Sequence, residues 1–379
     1  PLAANLDPEN TLHVDLAGLN GSMQYNKVAG FISGNDLSDT LFNDHRQIAG
    51  DIEKADSAAM LWNIFQASRK LVISMVLGQA DPYSVSLYIS SLADAICRRA
   101  IELCIKDAGD PPCRFAFLQT GSAGRREQTL CTDQDNAIIF ENVEPEKLET
   151  VSKYFTGLGR RVNEMLSESG YRLCKGEKMA GNPLWCQPLD KWKHYFSGWI
   201  KNPGPSELLE MSIFFDFRIC YGDLDLAESL RDFVRSDLKT NDIFFHHLAY
   251  AWKQYTPSIN VKSEKKTDIK RLIMPLTGVV RLYALNYGIS GYSSIERIFE
   301  LYSGNYIDYS LLRNIIRAWK DLTSIRLNHQ VECISAGVEP DNHVDLRSVN
   351  NEYLCYAEQA VLSINNLILK ASNDFYVEL

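Results

Sequence analysis

The sequence predicts an α+β fold, in which a small mixed-sheet domain lies between an N-terminal helical segment and a C-terminal all-helical bundle. Two short apolar runs, at residues 115–118 and 137–140, flank a glycine-containing turn and are typical of buried strands. Apolar residues recur at intervals of three and four over residues 85–103, before this turn, and over residues 269–283 and 354–368, after it. That periodicity indicates helices with one buried face.

These patterns divide the 379 residues into four predicted regions. We expect an irregular segment over residues 1–45, a helical linker or hairpin over 46–107, the mixed-sheet domain over 108–237 and the helical domain over 238–379. The string VAGFISGNDLSDT, at residues 28–40, resembles the closing strand and helix start of a CBS module. Such a remnant would imply an adenine-nucleotide sensor upstream. The helical hairpin either packs on the mixed-sheet domain or transmits a signal to it.

The composition argues against several classes of protein. With 39 basic and 48 acidic residues the net charge is −9, which is unlike a general nucleic-acid binder. No apolar run approaches the roughly 20 residues of a membrane-spanning helix. The nine cysteines are an odd number without a Cys-x-x-Cys pair, so we expect reduced thiols and a cytoplasmic protein. The histidines form no HExxH motif, and we therefore expect no zinc.

The densest chemical pattern is the stretch RFAFLQTGSAGRREQTLCTDQDNAIIFE. A turn with Gly121, Ser122 and Gly124 follows the first apolar run, and Asp133 and Asp135 precede the second. Side chains at i and i+2 of a strand share a face, so we expect the two carboxylates to project together. A divalent cation relieves their repulsion, and oxygen ligands favour Mg²⁺ or Mn²⁺. The glycines let backbone N–H groups approach a polyphosphate, which the serine hydroxyl would also contact.

A Gly-Ser pair followed after about ten residues by Asp-x-Asp resembles the signature of the DNA polymerase β-like nucleotidyltransferase superfamily. The longer string GSAGRREQTLCTDQDNA resembles, more specifically, the nucleotidyltransferases found beside CBS and cyclic-nucleotide-binding domains in bacterial signalling proteins. Those proteins are relatives of the uridylyltransferase of nitrogen regulation. The strings PLTGVVRLYALNYGI and SIRLNHQ resemble the helical substrate-binding domain of the same signalling family. Together the two regions cover roughly residues 50–370.

The resemblance implies transfer of an NMP group from an NTP to an acceptor, with Mg²⁺ or Mn²⁺ as cofactor. Asp133 and Asp135 would bind metal and act in catalysis. The run MSIFFDFRIC is typical of a buried strand, and its single carboxylate, Asp216, is costly to bury unless it is paired or metal-bound. The superfamily places a third catalytic carboxylate on a neighbouring strand, so Asp216 is the candidate for that ligand and for accepting the acceptor's proton. The alternative is a structural ion pair with Arg218.

Further basic residues are candidates for phosphate contacts. Arg125 and Arg126 would neutralise the leaving pyrophosphate, unless at least one of them pairs with Glu127. Lys178 precedes the MAGNP turn and is placed to contact the nucleotide. A basic cluster after residue 260 consists of Lys262, Lys265, Lys266, Lys270 and Arg271. It either forms a solvated face or closes over the triphosphate.

The expected partners are an NTP and, by analogy with the family's relatives, a protein acceptor. We expect no membrane and no general nucleic-acid partner, and a homo-oligomer is compatible with the sequence. A second hypothesis is a nucleotide-responsive regulatory or interaction module with weak or no transferase activity.

Overall fold

The computed structural model describes residues 47–202, 204, 208, 211–259, 266–347 and 351–377. The chain divides into two compact units after Lys54, and residues 47–54 of the first unit are helical. The CBS-like string at residues 28–40 lies outside the described residues, as do Lys262 and Lys265 of the basic cluster. All further elements belong to the second unit, Ala55–Leu379.

Most of the described part of the second unit is helical. Its longer helices are α1 (Ala58–Leu77), α2 (Pro82–Ala108), α3 (Pro145–Glu168), α4 (Leu189–Lys201), α5 (Leu224–Leu238), α6 (Asp242–Gln254), α7 (Ile269–Asn286), α8 (Ser294–Ser303), α9 (Tyr309–Ser335) and α10 (Asn351–Asp374). Among the described residues, no helix combines the length and the hydropathy that crossing a membrane requires. All nine cysteines are free thiols.

The predicted N-terminal helical segment is a hairpin of α1 and α2. The second helix begins at Pro82, a favourable first position, and the Asp81 side chain caps it by accepting from the amide of Ser84 at 3.1 Å. Val72 of α1 and Val85 of α2 share an apolar cluster with residues of α9. The hairpin therefore packs against the C-terminal helices.

The mixed sheet has four short strands, β1 (Phe115–Gln119), β2 (Asn136–Phe140), β3 (Cys186–Pro188) and β4 (Arg218–Gly222). Their order is β3-β2-β1-β4, with β1 antiparallel to both β2 and β4, and β2 parallel to β3. The predicted α+β class with a small mixed sheet is confirmed. In the register of β1 and β2, Gln119 faces Asn136. The glycine turn after β1 and the aspartates before β2 therefore leave the sheet side by side.

Aromatic residues cover both faces of this sheet. On one face Phe155 of α3 packs on Phe115 and Phe140, with ring centroids 5.1 Å apart in each pair. On the other face Trp192 of α4 is buried, and its indole N–H donates to the carbonyl of Ile138 at 3.0 Å. Burial on both sides explains why the central strands are continuous apolar runs and not alternating ones.

The run MSIFFDFRIC corrects one prediction. It is not one buried strand: Ser212–Asp216 forms a 3₁₀ helix, and β4 begins only at Arg218. The backbone at Asp216 packs directly on the glycine turn, because a Cβ added to Gly124 would lie 1.7 Å from the Asp216 carbonyl oxygen. The 3₁₀ segment brings the Asp216 backbone close to Gly124 and directs the Asp216 carboxylate towards the C-terminal helices.

The C-terminal region is a helical bundle, as predicted, with one small addition. Two-residue strands β5 (Thr267–Asp268) and β6 (His343–Val344) pair in an antiparallel ribbon, so the bundle is not entirely helical. The ribbon ties the start of α7 to the chain that follows α9. The bundle core includes Trp252, Tyr283 and Trp319, all almost fully buried.

Candidate active site

A pocket opens between the glycine turn, the entrance of β2 and two helices of the bundle. The mixed-sheet region contributes Ser122, Arg125, Asp133 and Asp135, all of which the sequence singled out. The bundle contributes Lys270 from the first turn of α7 and Arg326 from α9. The pocket thus joins the mixed-sheet domain to the helical domain.

The two aspartates point into this pocket because of the strand-like alternation around them. Gln134 and Asn136, at the alternate positions, are buried on the opposite side. Both are held by Asn163 of α3, whose side-chain amide donates to each of their side-chain oxygens at 3.0 Å. With these neighbours anchored inward, Asp133 and Asp135 are directed to the same face, as the i, i+2 spacing predicts.

At Gly121 and at Gly124 a neighbouring residue lies so close to the backbone that little room is left for a side chain. Gly121 has a φ of +56°, and a Cβ there would lie 3.1 Å from an Asp135 carboxylate oxygen. Gly124 packs on the carbonyl of Asp216, and its amide donates to the Thr120 carbonyl at 3.0 Å. The Gly124 amide is therefore engaged within the turn. The first amides of a helical turn have no partner within it, so the amides at the start of this turn are the candidates for phosphate contacts.

The buried position of Asp135 disfavours its ionised carboxylate. Burial raises its pKa, and the negative charge of Asp133 acts in the same direction. A hydrogen bond with Cys174 and the charge of Lys270 oppose the shift without cancelling it. The ionised carboxylate is thus incompletely compensated by the protein, which is the condition that a bound divalent cation would relieve.

Replacing Asp135 with Asn is expected to stabilise the metal-free protein at neutral pH. A raised pKa in the folded state means that protonation favours folding, so the stability contributed by Asp135 is present at low pH and is lost as pH rises through the raised pKa. The D135N variant lacks this charge. Its advantage in urea denaturation with EDTA should be largest at neutral pH and shrink towards acidic pH.

Magnesium should make wild type more stable than D135N. Wild type is expected to gain about 3 kcal/mol of unfolding free energy at a free Mg²⁺ concentration near 100 times Kd, whereas D135N gains little. An equal gain in both proteins would contradict a metal bound at Asp135.

Asp216 lies in a buried cluster with three arginines. Its fully buried carboxylate contacts Arg125 at 2.6 Å, Arg281 at 2.7 Å and Arg297 at 2.7 Å. Burial alone would raise the pKa of Asp216, but the three guanidinium groups hold that pKa well below its ordinary value. Both carboxylate oxygens accept hydrogen bonds from arginine side chains.

This arrangement differs from both roles that the sequence suggested for Asp216. The ion pair with Arg218 is wrong, because Arg218 binds Asp94 of α2 at 2.8 Å and donates to the carbonyl of Ala123. Asp216 is not among the residues that line the pocket. Within the described part of the chain, its oxygens do not share one 4.8 Å cluster with those of Asp133 and Asp135. Asp216 is therefore the anion of a buried ion-pair cluster in this structure, and its metal-ligand and proton-acceptor roles stay predictions.

The two arginines of the glycine loop have different surroundings. Arg125 lines the pocket, but its Nε contacts Glu127 at 2.7 Å, which confirms the alternative of a local ion pair. Burial lowers its pKa, but the charges of Glu127 and Asp216 outweigh this, so the pKa is raised and the residue stays charged. Arg126 lies over the ring of Tyr292 at 5.8 Å and is not among the pocket's lining residues.

The bundle supplies two further basic residues to the pocket, Lys270 and Arg326. Lys270 lines the pocket and is exposed, whereas Lys266 and Arg271 of the predicted cluster line a separate cavity. Lys178 is not among the lining residues of the pocket. Arg326 was not predicted, and burial lowers its pKa to about 10. Its signal in the sequence is an arginine within the apolar stripe of a helix, which needs a specific partner when buried.

The donor set fits Mg²⁺ or Mn²⁺. Asp133 and Asp135 provide hard carboxylate oxygens, and Ser122 places a hydroxyl in the same pocket. Mg²⁺ is commonly bound by one or two carboxylates, with substrate phosphates and water completing the octahedron. Two carboxylates are therefore enough for one metal–nucleotide complex.

Comparison with known proteins gives two matches to protein-family models. Residues 66–206 match the family described as putative nucleotidyltransferase DUF294. Residues 242–363 match the family described as putative nucleotidyltransferase substrate binding domain. No curated protein matches the chain. The first region contains both pocket aspartates and the second contains the lysine and arginine of the bundle wall, so the pocket is lined from both matched regions.

Proposed function

Because the two matched regions support a nucleotidyltransferase family for this chain, we propose that it transfers a nucleoside monophosphate group from an NTP to an acceptor. One observation carries the proposal. Asp133 and Asp135 share a pocket with Lys270 and Arg326, so two carboxylates and two cations line the same pocket. The acceptor is proposed to be a protein, in line with the family resemblance of the sequence.

In this proposal the two aspartates and the two bundle cations have separate tasks. Asp133 and Asp135 hold the metal–triphosphate complex, and Lys270 and Arg326 attract the phosphate oxygens. The Ser122 hydroxyl donates to the same oxygens. When bound, Mg²⁺ or Mn²⁺ would neutralise phosphate charge and make the acceptor hydroxyl more acidic.

The transfer is an in-line displacement at the α-phosphorus. The acceptor oxygen forms the new P–O bond, the bond to the β-phosphate oxygen breaks, and pyrophosphate leaves. The proton of the acceptor hydroxyl passes to solvent water.

A second candidate is supported by the state of Asp216. With this carboxylate engaged by arginines, the pocket is lined by two aspartates where two-metal catalysis is expected to use three carboxylates. A chain with this site would bind a metal–nucleotide complex and respond to it without efficient transfer. It would then act as a nucleotide-responsive regulatory module.

Labelled nucleotides distinguish the two candidates. The purified chain is incubated with each NTP, Mg²⁺ or Mn²⁺ and a lysate of the source organism, and the products are analysed for nucleotide adducts and pyrophosphate. We expect a nucleotide-modified product that requires the metal and is lost with EDTA. Saturable NTP binding without adduct or pyrophosphate, for every NTP and acceptor fraction, would favour the regulatory module instead.

A further inference from the structure

Three metal-binding side chains meet at the end of α9, outside the pocket described above. His329 and Cys333 are four residues apart and lie on one face of the helix, while Asp341 returns to them from the following loop. The His329 Nε2 atom is 2.9 Å from Asp341 Oδ1 and 3.5 Å from Cys333 Sγ. All three ligand atoms lie within 4.8 Å of one another.

These separations are close to those around a tetrahedral zinc ion. Zn–N, Zn–O and Zn–S bonds of about 2.0–2.3 Å place neighbouring ligand atoms about 3.3–3.8 Å apart. The histidine nitrogen carries either one proton or one lone pair, so it cannot satisfy both the carboxylate and the sulfur. A cation at the centre would satisfy all three donors after a shift of a few tenths of an ångström.

The chemistry of the donors selects the metal. A thiolate with an imidazole and a carboxylate is a set typical of Zn²⁺, whereas Mg²⁺ prefers oxygen alone. The backbone amide of His343 donates to Asp341 Oδ1 at 2.8 Å and so orients the carboxylate. The His343 ring nitrogen Nδ1 is 4.0 Å from the same oxygen, on a side chain that is 56% exposed. It lies outside the three-residue cluster and would become the fourth ligand only after its exposed side chain turned, and this exposure gives an ion access to the cluster.

We propose that His329, Cys333 and Asp341, with His343 or water as the fourth ligand, bind one Zn²⁺ that fastens the loop after α9 to the helix end. The expectation of no zinc rested on the absence of HExxH. The ligands here follow a different spacing, His-x₃-Cys and then Asp-x-His. The loop after α9 folds back and brings Asp341 to the two helix residues.

The proposed zinc site is adjacent in the chain to a residue that orients a side chain of the active-site pocket. Asn342 follows Asp341 and accepts hydrogen bonds from Arg326 at 2.6 Å and Gln330 at 3.2 Å. Arg326 lines the candidate active site, and Gln330 also donates to Thr129 of the loop before β2. An ion that fixes Asp341 would therefore hold Asn342, and with it the orientation of Arg326. Zinc binding itself does not depend on the proposed transfer activity.

Metal binding is tested on the full chain, purified without a histidine tag and stripped of metal. Zn²⁺ and Co²⁺ are titrated in excess Mg²⁺, so that the carboxylate pocket is occupied. We expect one equivalent of Zn²⁺ per chain and, with Co²⁺, the visible absorption of a tetrahedral site together with a thiolate charge-transfer band. The thermal midpoint should rise on Zn²⁺ addition.

Three variants assign the site. C333S and D341N should each lower zinc affinity by at least the roughly 10–100-fold that loss of a supporting partner costs. C355S, which changes an exposed cysteine on α10, and D133N should leave zinc affinity unchanged. The inference is overturned if wild type takes up no zinc or shows no thiolate–cobalt band, or if C333S and D341N bind zinc as wild type does. Should C333S fail to fold, the wild-type cobalt spectrum and the loop variant D341N decide the question.

Discussion

D133N is expected to abolish metal-dependent nucleotidyl transfer while the protein stays folded. Asp133 lines the pocket beside Asp135, and the pair supplies the carboxylate oxygens for the metal–triphosphate complex. Loss of one ligand removes several kcal/mol of stabilisation of the transferring phosphate, which corresponds to a loss of at least about 1,000-fold in kcat/KM. The measurement is the rate of pyrophosphate release with the NTP that labels the acceptor.

The chain offers a matched control in its second Asp-x-Asp sequence. Asp225 is exposed in the first turn of α5, behind the capping residue Asp223, so D225N makes the same chemical change away from the pocket. It should retain wild-type activity. Activity of D133N within a few-fold of D225N would remove the proposed metal role of Asp133, provided that both variants unfold at similar urea concentrations.

D216A is expected to destabilise the fold strongly. The substitution leaves Arg281 and Arg297 buried without the carboxylate that both contact, and Arg125 keeps only Glu127. Breaking a buried ion pair by removing one partner costs about 3–5 kcal/mol. Urea denaturation of D216A, compared with the exposed control D225A, gives this difference directly.

The same cluster predicts that the stability contributed by Asp216 decreases at acidic pH. The pKa of Asp216 is lowered in the folded state, so its contribution to stability is present above the unfolded pKa and is lost as pH falls towards the folded value. The stability gap between wild type and D216A should therefore narrow at acidic pH. A D216A protein that is within 1 kcal/mol of wild type but has lost metal binding would contradict the structural role and restore the metal-ligand role.

Local sequence patterns predicted the parts of the site that depend on neighbours in the chain. The period-two alternation placed Asp133 and Asp135 on one face, and the structure brings both to the pocket with Ser122. The apolar runs predicted β1 and β2 because both faces of these strands are buried. The helical periodicity of the C-terminal region also depends only on neighbours in the chain, so the bundle was predictable. The ribbon of β5 and β6 was not, because its two strands are distant in the sequence.

The remaining features depend on how distant helices dock. Asp216 meets Arg281 of α7 and Arg297 of α8, and no spacing along one element encodes that meeting. The same holds for Arg326, which reaches the active-site wall only because α9 lies beside the loop before β2. The His329 cluster needs the loop after α9 to fold back. For Asp216 the visible signal was a charge inside an apolar run, and for Arg326 it was a charge inside the apolar stripe of a helix, but neither signal identified the partner.

The central claim is that Asp133 and Asp135 hold a metal-bound triphosphate against the bundle wall. Anomalous diffraction from crystals grown with Mn²⁺ and a non-hydrolysable NTP analogue tests it most directly. The account predicts one Mn²⁺ bonded to both aspartates at about 2.0–2.3 Å, with the phosphates directed to Lys270 and Arg326. Mn²⁺ bound away from both aspartates, or an analogue that binds without contacting the pocket, would contradict it.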